Sequence, residues 1–317
     1  MTSPSNADAS FKTRDATSYD AHAGEYDVFI ERYSGPLVQR MLTRVVLAPT
    51  AQLLDVGTGT GIVALEVARR LGAGGRVLGV DLSTGMLATA RAKAARLQLG
   101  DRVEFREMDA EHLALPDASF DVIVSLFALH HFPDPAAALA EMHRVLRPGG
   151  VLCVGVGSGP RRFTFAGIRD AIVQVRDLLL RRSGRLLRAP NFIEELVLRA
   201  LPAARDVELT DLAAHGWKQS ATVPQLMRNA GFAHVQTDWL GQRRVIDTIQ
   251  EFWDLQRIYS STARKRLAGL TEPELATFRA QFTTACEAVQ RRGGLLVYSY
   301  AAMFVVGSRP QTDSERS

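Results

Sequence analysis

The stretch Leu53-Leu54-Asp55-Val56-Gly57-Thr58-Gly59-Thr60-Gly61-Ile62 organises the chain. Apolar residues and one acid lead into three glycines at alternate positions, and an apolar helical pattern follows. That order reads as a buried strand, a tight turn and a helix start. Glycines let a backbone approach a ligand closely and adopt angles other residues avoid. The free N–H groups at the following helix start favour a polar or anionic ligand group. The dinucleotide fingerprint G-x-G-x-x-G is not met, because Ile62 stands where its third glycine belongs. Asp55 would sit badly beside a pyrophosphate and suits a ligand with an ammonium or sulfonium charge.

Outward from this turn, strand and helix patterns alternate. Gln52–Val56 is the first strand, and Val77-Leu78-Gly79-Val80-Asp81 is a second apolar run ending in an acid, 24 residues after Gly57. That distance fits a βαβ unit. A carboxylate there can accept bonds from both ribose hydroxyls, and Ser83 serves better as the helix N-cap. Arg102–Glu107 is the third strand, followed by Met108-Asp109-Ala110-Glu111. Ser119–Leu126, a nearly continuous apolar run, suits a central parallel strand covered on both faces. Asp134-Pro135 provides an N-cap and a first-turn proline; Arg147-Pro148-Gly149-Gly150 ends that helix sharply before strand five, Val151–Val156. Five alternations predict an α/β, doubly wound parallel sheet with right-handed crossovers. Ligands bind such sheets at the carboxyl ends of the strands, where Gly57 through Ser125 fall.

Asp55-Val56-Gly57-Thr58-Gly59-Thr60-Gly61 resembles motif I of the class I S-adenosylmethionine-dependent methyltransferases, and the "LRPGG" turn resembles their ubiquinone/menaquinone-type branch. The resemblance covers residues 19–156, and 223–240 and 294–310 more loosely. It implies a Rossmann-like sheet of seven strands, six parallel and one antiparallel. Ala233–Leu240 would be strand six, and Leu295–Val306 the antiparallel strand inserted between strands five and six. It implies S-adenosylmethionine as cofactor and S-adenosylhomocysteine as product; no metal is expected, because no third ligand stands at suitable spacing near His130-His131. The residues expected at the cofactor are Tyr26, Asp55, Gly57, Thr58, Gly59, Gly61, Asp81, Leu82, Met86, Asp109, Ala110 and Ser125. Among them, Met86 would pack on the adenine, Asp109 would accept its amino group and the Ala110 N–H would reach its ring. A core methionine and a solvated loop acid are the plainer readings of Met86 and Asp109. Tyr19, Tyr26 and Tyr33 recur every seven residues, a spacing that can share one helical face. That face is either ordinary packing or a lid over the cofactor, and the resemblance around "YDAHAGEYD" selects Tyr26 for the lid. In "LHHFPDP", His130 is the candidate base or pocket wall, with a structural histidine as the alternative.

The expected division is a mobile N-terminus over 1–17, a core of 18–156 plus 223–240 and 295–310, and a mobile tail over 311–317. Two insertions, 157–222 and 241–294, would form a helical cap over the active site. The first carries an apolar stripe of Ile168, Ile172, Val175 and Leu179. A polar stripe of Asp170, Gln174, Asp177 and Arg181 lies opposite. Arg161, Arg162, Arg181, Arg182, Arg185 and Arg188 add positive charge. A solvated face, a membrane surface, an acidic carrier protein or a substrate phosphate are all compatible with that segment. The second carries Ile246, Ile249, Phe252 and Trp253, then a Thr271/Glu274 capping box before Leu275, Phe278, Phe282 and Val289.

Composition sets the remaining bounds. Over 317 residues, 46% hydrophobic and 23% charged residues are ordinary for a globular chain. Only four of 38 basic residues are Lys, which points to a GC-rich genome rather than to nucleic-acid binding. Two distant cysteines, Cys153 and Cys286, suggest a reducing, cytoplasmic setting, and no apolar run reads as a secretion signal or bilayer span. The reading is a methyltransferase acting on a small organic acceptor in biosynthesis or secondary metabolism, with O- or C-methylation favoured and N open. A homodimer through the caps is compatible with it. A noncatalytic S-adenosylmethionine-binding protein and a non-methylating enzyme on this fold are the alternatives. An NAD-dependent oxidoreductase ranks below them.

Overall fold

A computed structural model describes residues 6–20, 22–157, 165–189, 191–201 and 222–311. These fall into two compact units. One takes in the chain up to Gly157 with 222–238 and 303–311; the other takes in 165–201 and 239–302.

In the first unit, three helices, α1 (Asn6–Asp20), α2 (Ala23–Tyr33) and α3 (Gly35–Leu42), precede β1 (Gln52–Val56). Then follow α4 (Ile62–Arg70), β2 (Arg76–Asp81), α5 (Thr84–Arg96), β3 (Val103–Glu107), β4 (Phe120–Leu126), α6 (Pro135–Val145) and β5 (Leu146–Gly157). A single 3-10 turn, Leu129–His131, joins β4 to α6. The later elements are α9 (Val223–Asn229) and parts of β7 (Ala233–Ile246) and β8 (Leu295–Ser308). Strand order is β3-β2-β1-β4-β5-β8, and β7 pairs with β8. The neighbours among β1–β5 pair in parallel. One pair in the sheet is antiparallel. Central strands carry apolar side chains on both faces, so Leu53, Leu54, Ile123 and Val154 are fully buried. Each contributes about 1.5–3 kcal/mol of burial.

Several expectations need correction here. The N-terminus expected to be mobile to residue 17 is helical from Asn6, and its Phe11 is buried. Tyr19, Tyr26 and Tyr33 do not share one helix, because α1 stops at Asp20 and α2 starts at Ala23. Tyr19 and Tyr26 meet across that break, edge to face with ring centroids 5.6 Å apart. Residues 147–150 do not form a turn ahead of β5. They lie within the strand, where the pairing with β4 shifts register between Phe120 and Val122, and Gly149 takes φ +78. A bulge of this kind absorbs the extra residues that a sequence pattern reads as a loop.

The second unit contains α7 (Phe165–Arg182), β6 (Leu186–Ala189), α8 (Asn191–Ala200), α10 (Ile249–Tyr259), α11 (Ser261–Leu267), α12 (Glu272–Arg291) and the remaining parts of β7 and β8. β6 is an eighth strand absent from the sequence reading; it pairs in parallel with β8, Leu186 opposite Leu295. The strand expected over Ala233–Leu240 runs on to Ile246, into the stretch assigned to the second insertion. Phe192, Phe252, Trp253, Phe278 and Phe282 form an aromatic cluster with centroids 5.0–6.2 Å apart. Gln256, fully buried, accepts from the Ile193 N–H at 3.0 Å and donates to the Phe252 carbonyl at 3.0 Å, satisfying polar groups inside that apolar setting. The Thr271/Glu274 capping box opens α12. Arg161, Arg162 and the tail from 312 lie outside the described residues, as do the side chains of Ile168 and Asp170.

Candidate active site

The glycine turn is tied to its neighbour strand before any ligand is considered. Gly57 and Thr58 donate their N–H groups to the Val80 carbonyl at 2.8 and 2.9 Å. Gly59 N–H donates to Asp81 Oδ2 at 2.8 Å, and Ser83 N–H donates to Asp81 Oδ1 at 3.0 Å. The Asp81 carboxylate therefore joins the turn to the start of α5, whose N-cap is Ser83. Burial raises the Asp81 pKa, and the two N–H bonds work against that rise.

Two glycines of the turn have different reasons to be there. Gly57 has φ +70, and a Cβ on it would stand 2.1 Å from the Ala128 Cβ. Gly59 has φ +53 and nothing within 4 Å of where its Cβ would be, so that side of the turn faces open space. The first glycine lets the chain pack; the second leaves room for a ligand to approach the backbone.

Asp55 sits behind the turn, 1% exposed. Its Oδ2 accepts from Thr58 Oγ1 at 2.7 Å and from Ala64 N–H at 3.1 Å. Burial pushes its pKa up to about 7; the two hydrogen bonds oppose this, and the nearby Asp81 charge adds to it.

Two cavities flank the turn. The larger encloses about 830 Å³ of space, partly open to solvent. Its walls include Tyr26, Gly57, Gly59, Asp81, Leu82, Met86, Asp109 and Ala110, eight of the expected cofactor residues. The smaller is lined by Asp55, Thr58 and Thr60, and shares Tyr26, Gly57, Gly59, Leu126 and Phe127 with the larger. Gly61 and Ser125 line neither. Gly61 packs instead on Phe105 and Ala90, and Ser125 is fully buried in β4.

His130 is displaced from its expected place. It lines neither cavity, although surrounding protein lowers its pKa to about 3, whereas its neighbour His131 lines the larger one. The two rings are in contact, centroids 4.0 Å apart and tilted by 42°, yet only His131 reaches the cavity wall. His131 Nδ1 lies 2.9 Å from Asp15 Oδ2, and its Nε2 lies 3.4 Å from the Tyr19 hydroxyl.

Other lining residues escaped the sequence reading because they arrive on α1. Lys12 Nζ donates to Asp109 Oδ2 at 2.7 Å and to Glu111 Oε2 at 2.5 Å. Burial works to lower the Lys12 pKa, but the two carboxylates outweigh it and raise it. Burial likewise works to raise Asp109, and the Lys12 ammonium with the Glu111 N–H holds it below its usual value. Asp20 Oδ1 accepts from Ser83 Oγ at 2.6 Å and Gly85 N–H at 2.9 Å, fastening the end of α1 to the start of α5. Asp109, Glu111 and His112 offer ligand atoms within 4.8 Å of one another, but Lys12 already bonds both acids.

The methyltransferase domain family matches residues 54–154. The ubiquinone/menaquinone biosynthesis C-methyltransferase UbiE of Marinomonas sp. is 32% identical over 177 residues, covering 54% of this chain and 69% of that protein. The chain belongs to the class I S-adenosylmethionine-dependent methyltransferases, ubiquinone/menaquinone type.

The chain has relatives outside quinone chemistry as well. The nocamycin O-methyltransferase of Saccharothrix syringae is 39% identical over 132 residues, covering 42% of this chain and 47% of that protein. The chain spans about half the length of the first curated relatives it matches. A solved phosphoethanolamine N-methyltransferase 2 of Haemonchus contortus, in complex with S-adenosyl-L-methionine, has a TM-score of 0.51 at 18% identity, covering 95% of this chain and 60% of that one. That likeness establishes the fold. S-adenosylmethionine is the cofactor of this methyltransferase family. One atom here fits a polar ligand directly: Thr60 Oγ1, buried in the wall of the smaller cavity, has no hydrogen-bond partner among the described residues.

Proposed function

We propose that this chain transfers a methyl group from S-adenosylmethionine to a small organic acceptor in a biosynthetic or secondary-metabolic route, with oxygen or carbon as the favoured receiving atom and nitrogen also compatible. When bound, the cofactor supplies an electrophilic methyl group on a positively charged sulfur. The observation that carries this reading is the pair of cavities meeting at Gly57 and Gly59, one walled by Asp81 and the other by Asp55. Asp81 is assigned the ribose hydroxyls. Met86, Asp109 and Ala110 are assigned the adenine, and Asp55 with the unpartnered Thr60 hydroxyl the amino-acid end. Tyr26 borders both cavities and is assigned the cover between them.

Positioning and exclusion of water supply most of what this chain does for an in-line displacement. His131 is assigned the acceptor's proton, where the acceptor must lose one. Asp15 holds its Nδ1 side, which directs Nε2 as the proton-accepting atom. A cytoplasmic setting belongs to the same proposal, supported by two buried free thiols, Cys153 and Cys286. Among the described residues, no helix is long and apolar enough to cross a membrane.

Calorimetry with S-adenosylhomocysteine tests the cofactor half, and absence of heat at millimolar ligand overturns it. Asp81→Ala is expected to weaken that binding by roughly 1.5–3 kcal/mol, the range of a charge-assisted hydrogen bond. Unchanged affinity removes Asp81 from the site. Incubation with labelled S-adenosylmethionine and candidate hydroxylated or quinol acceptors tests the transfer half.

A further inference from the structure

Helix α7 is amphipathic, and its apolar side faces outward. Ile172, Val175 and Leu179 are 66%, 59% and 61% exposed, and Leu178 beside them is 49% exposed. Asp177, on the other side, is only 3% exposed. It accepts from Arg243 at 3.4 Å and Arg176 at 3.5 Å. At about 100° per residue, the first three apolar side chains fall within about 60° of one another, and Asp177 points about 170° from their centre. The buried carboxylate explains the orientation. Rolling α7 to bury its leucines would pull Asp177 away from Arg243 and bring the apolar stripe against the polar partners Asp177 leaves.

Charge identifies what covers the stripe. Segment 165–188 carries six arginines against two aspartates, with no Lys or Glu. Its excess equals the net charge of +4 of the whole chain, so the remainder is neutral. By the same helical geometry, Arg176 and Arg182 border the stripe on its two sides. Both are exposed. An apolar stripe with a cation along each border matches a flat anionic lipid surface. The aliphatic side chains enter the boundary of the acyl chains, while the guanidinium groups reach back to the phosphates.

We propose that α7 lies in the surface of a membrane containing anionic lipid and holds this protein there peripherally. The contact is independent of the cofactor site, so its test is separate from that of the proposed activity.

Full-length protein is mixed with sedimenting vesicles of phosphatidylcholine, with and without phosphatidylglycerol, and the bound fraction is measured. Binding is expected only with phosphatidylglycerol, and it should fall as salt rises, because the attraction is screened. Ile172→Asp with Leu179→Asp should abolish it. Arg182→Gln, a milder surface change, should weaken it about five-fold. Circular dichroism and S-adenosylhomocysteine binding confirm that each variant is folded. Three results overturn the proposal: no vesicle binding, binding unaffected by both variants, or equal binding without anionic lipid. A dimer in sizing columns that dissociates in Ile172→Asp, with no vesicle binding, assigns the stripe to a second copy. Capture of polyglutamate in place of vesicles assigns it to an acidic protein. Either outcome also overturns the proposal.

Discussion

His131 Nδ1 lies 2.9 Å from Asp15 Oδ2, which places a cavity histidine of the sheet edge under the control of a carboxylate from the N-terminal helix. A carboxylate on one ring nitrogen fixes the ring's orientation and the tautomer that presents the other nitrogen to a substrate. The catalytic pair, on this reading, is assembled from segments more than a hundred residues apart.

His131→Ala is expected to lower turnover by about 10²–10⁴-fold for an acceptor that must lose a proton. S-adenosylhomocysteine affinity should change far less. Asp15→Asn should lower turnover in the same direction but by less. His130→Ala should lower turnover far less than His131→Ala, because His130 lines neither cavity. Steady-state rates beside calorimetry make the comparison, and a larger loss in His130→Ala would reverse the assignment.

Lys12 is the main electrostatic tie between α1 and the Asp109 loop. Its removal leaves two carboxylates facing each other without their shared cation. Lys12→Met is therefore expected to cost α1 roughly 1.5–3 kcal/mol of docking, the range of a hydrogen bond to a charged group. Native-state hydrogen exchange over 6–20 should accelerate while exchange in β1 and β4 stays put. Equal protection in the variant would show that Phe11 and Asp20 hold the helix unaided.

Asp55 links stability to pH in a definite direction. Its folded pKa, about 7, stands above the ordinary 3.8 because of burial. The folded state then binds the extra proton between those values, so this group's stabilising contribution is fully present below about pH 4. It is lost as pH rises through about 7. Denaturant midpoints of ligand-free protein should fall across that window, and Asp55→Asn should flatten the fall. A ligand ammonium near Asp55 favours the ionised form, so S-adenosylmethionine affinity should rise across the same window. Identical pH profiles for wild type and Asp55→Asn would remove Asp55 as the source.

Gly57 and Gly59 should separate folding from binding. Gly57→Ala drives a Cβ to within 2.1 Å of Ala128, so it is expected to lower thermal stability markedly. Gly59→Ala meets no protein atom and pays only for φ +53. A cost of about 1 kcal/mol is expected from that strain, with a disproportionate loss of S-adenosylhomocysteine affinity as the methyl group enters the ligand's space. Thermal melts with and without ligand check both. Equal losses of stability would mean that the open side of Gly59 is no ligand surface.

Much of the first unit was legible in the chain because its signals are local. An apolar strand, a glycine turn and an amphipathic helix declare themselves within a dozen residues, and β1 ends where the pattern says it does, at Val56. Asp81 and Met86 could be placed at the cavity because strand ends and helix starts fix their positions relative to the turn. The choice between His130 and His131 could not be read, since adjacent residues share every local signal and only the fold of one 3-10 turn separates them. Lys12, Asp15 and Asp20 gave no hint either, lying in a polar stretch that resembles solvent-exposed chain.

What the amino-acid order determined by itself was a parallel α/β sheet with an adenosyl-type turn, because hydrophobic period and glycine placement act over short distances and need no partner to be read. What only the tertiary structure decided was which side chains complete the site and which way α7 faces. Long-range ion pairs such as Lys12 with Asp109, and a buried acid such as Asp177 with Arg243, outweigh local pattern once the chain has folded, and neither pairing is written in the spacing of neighbouring residues.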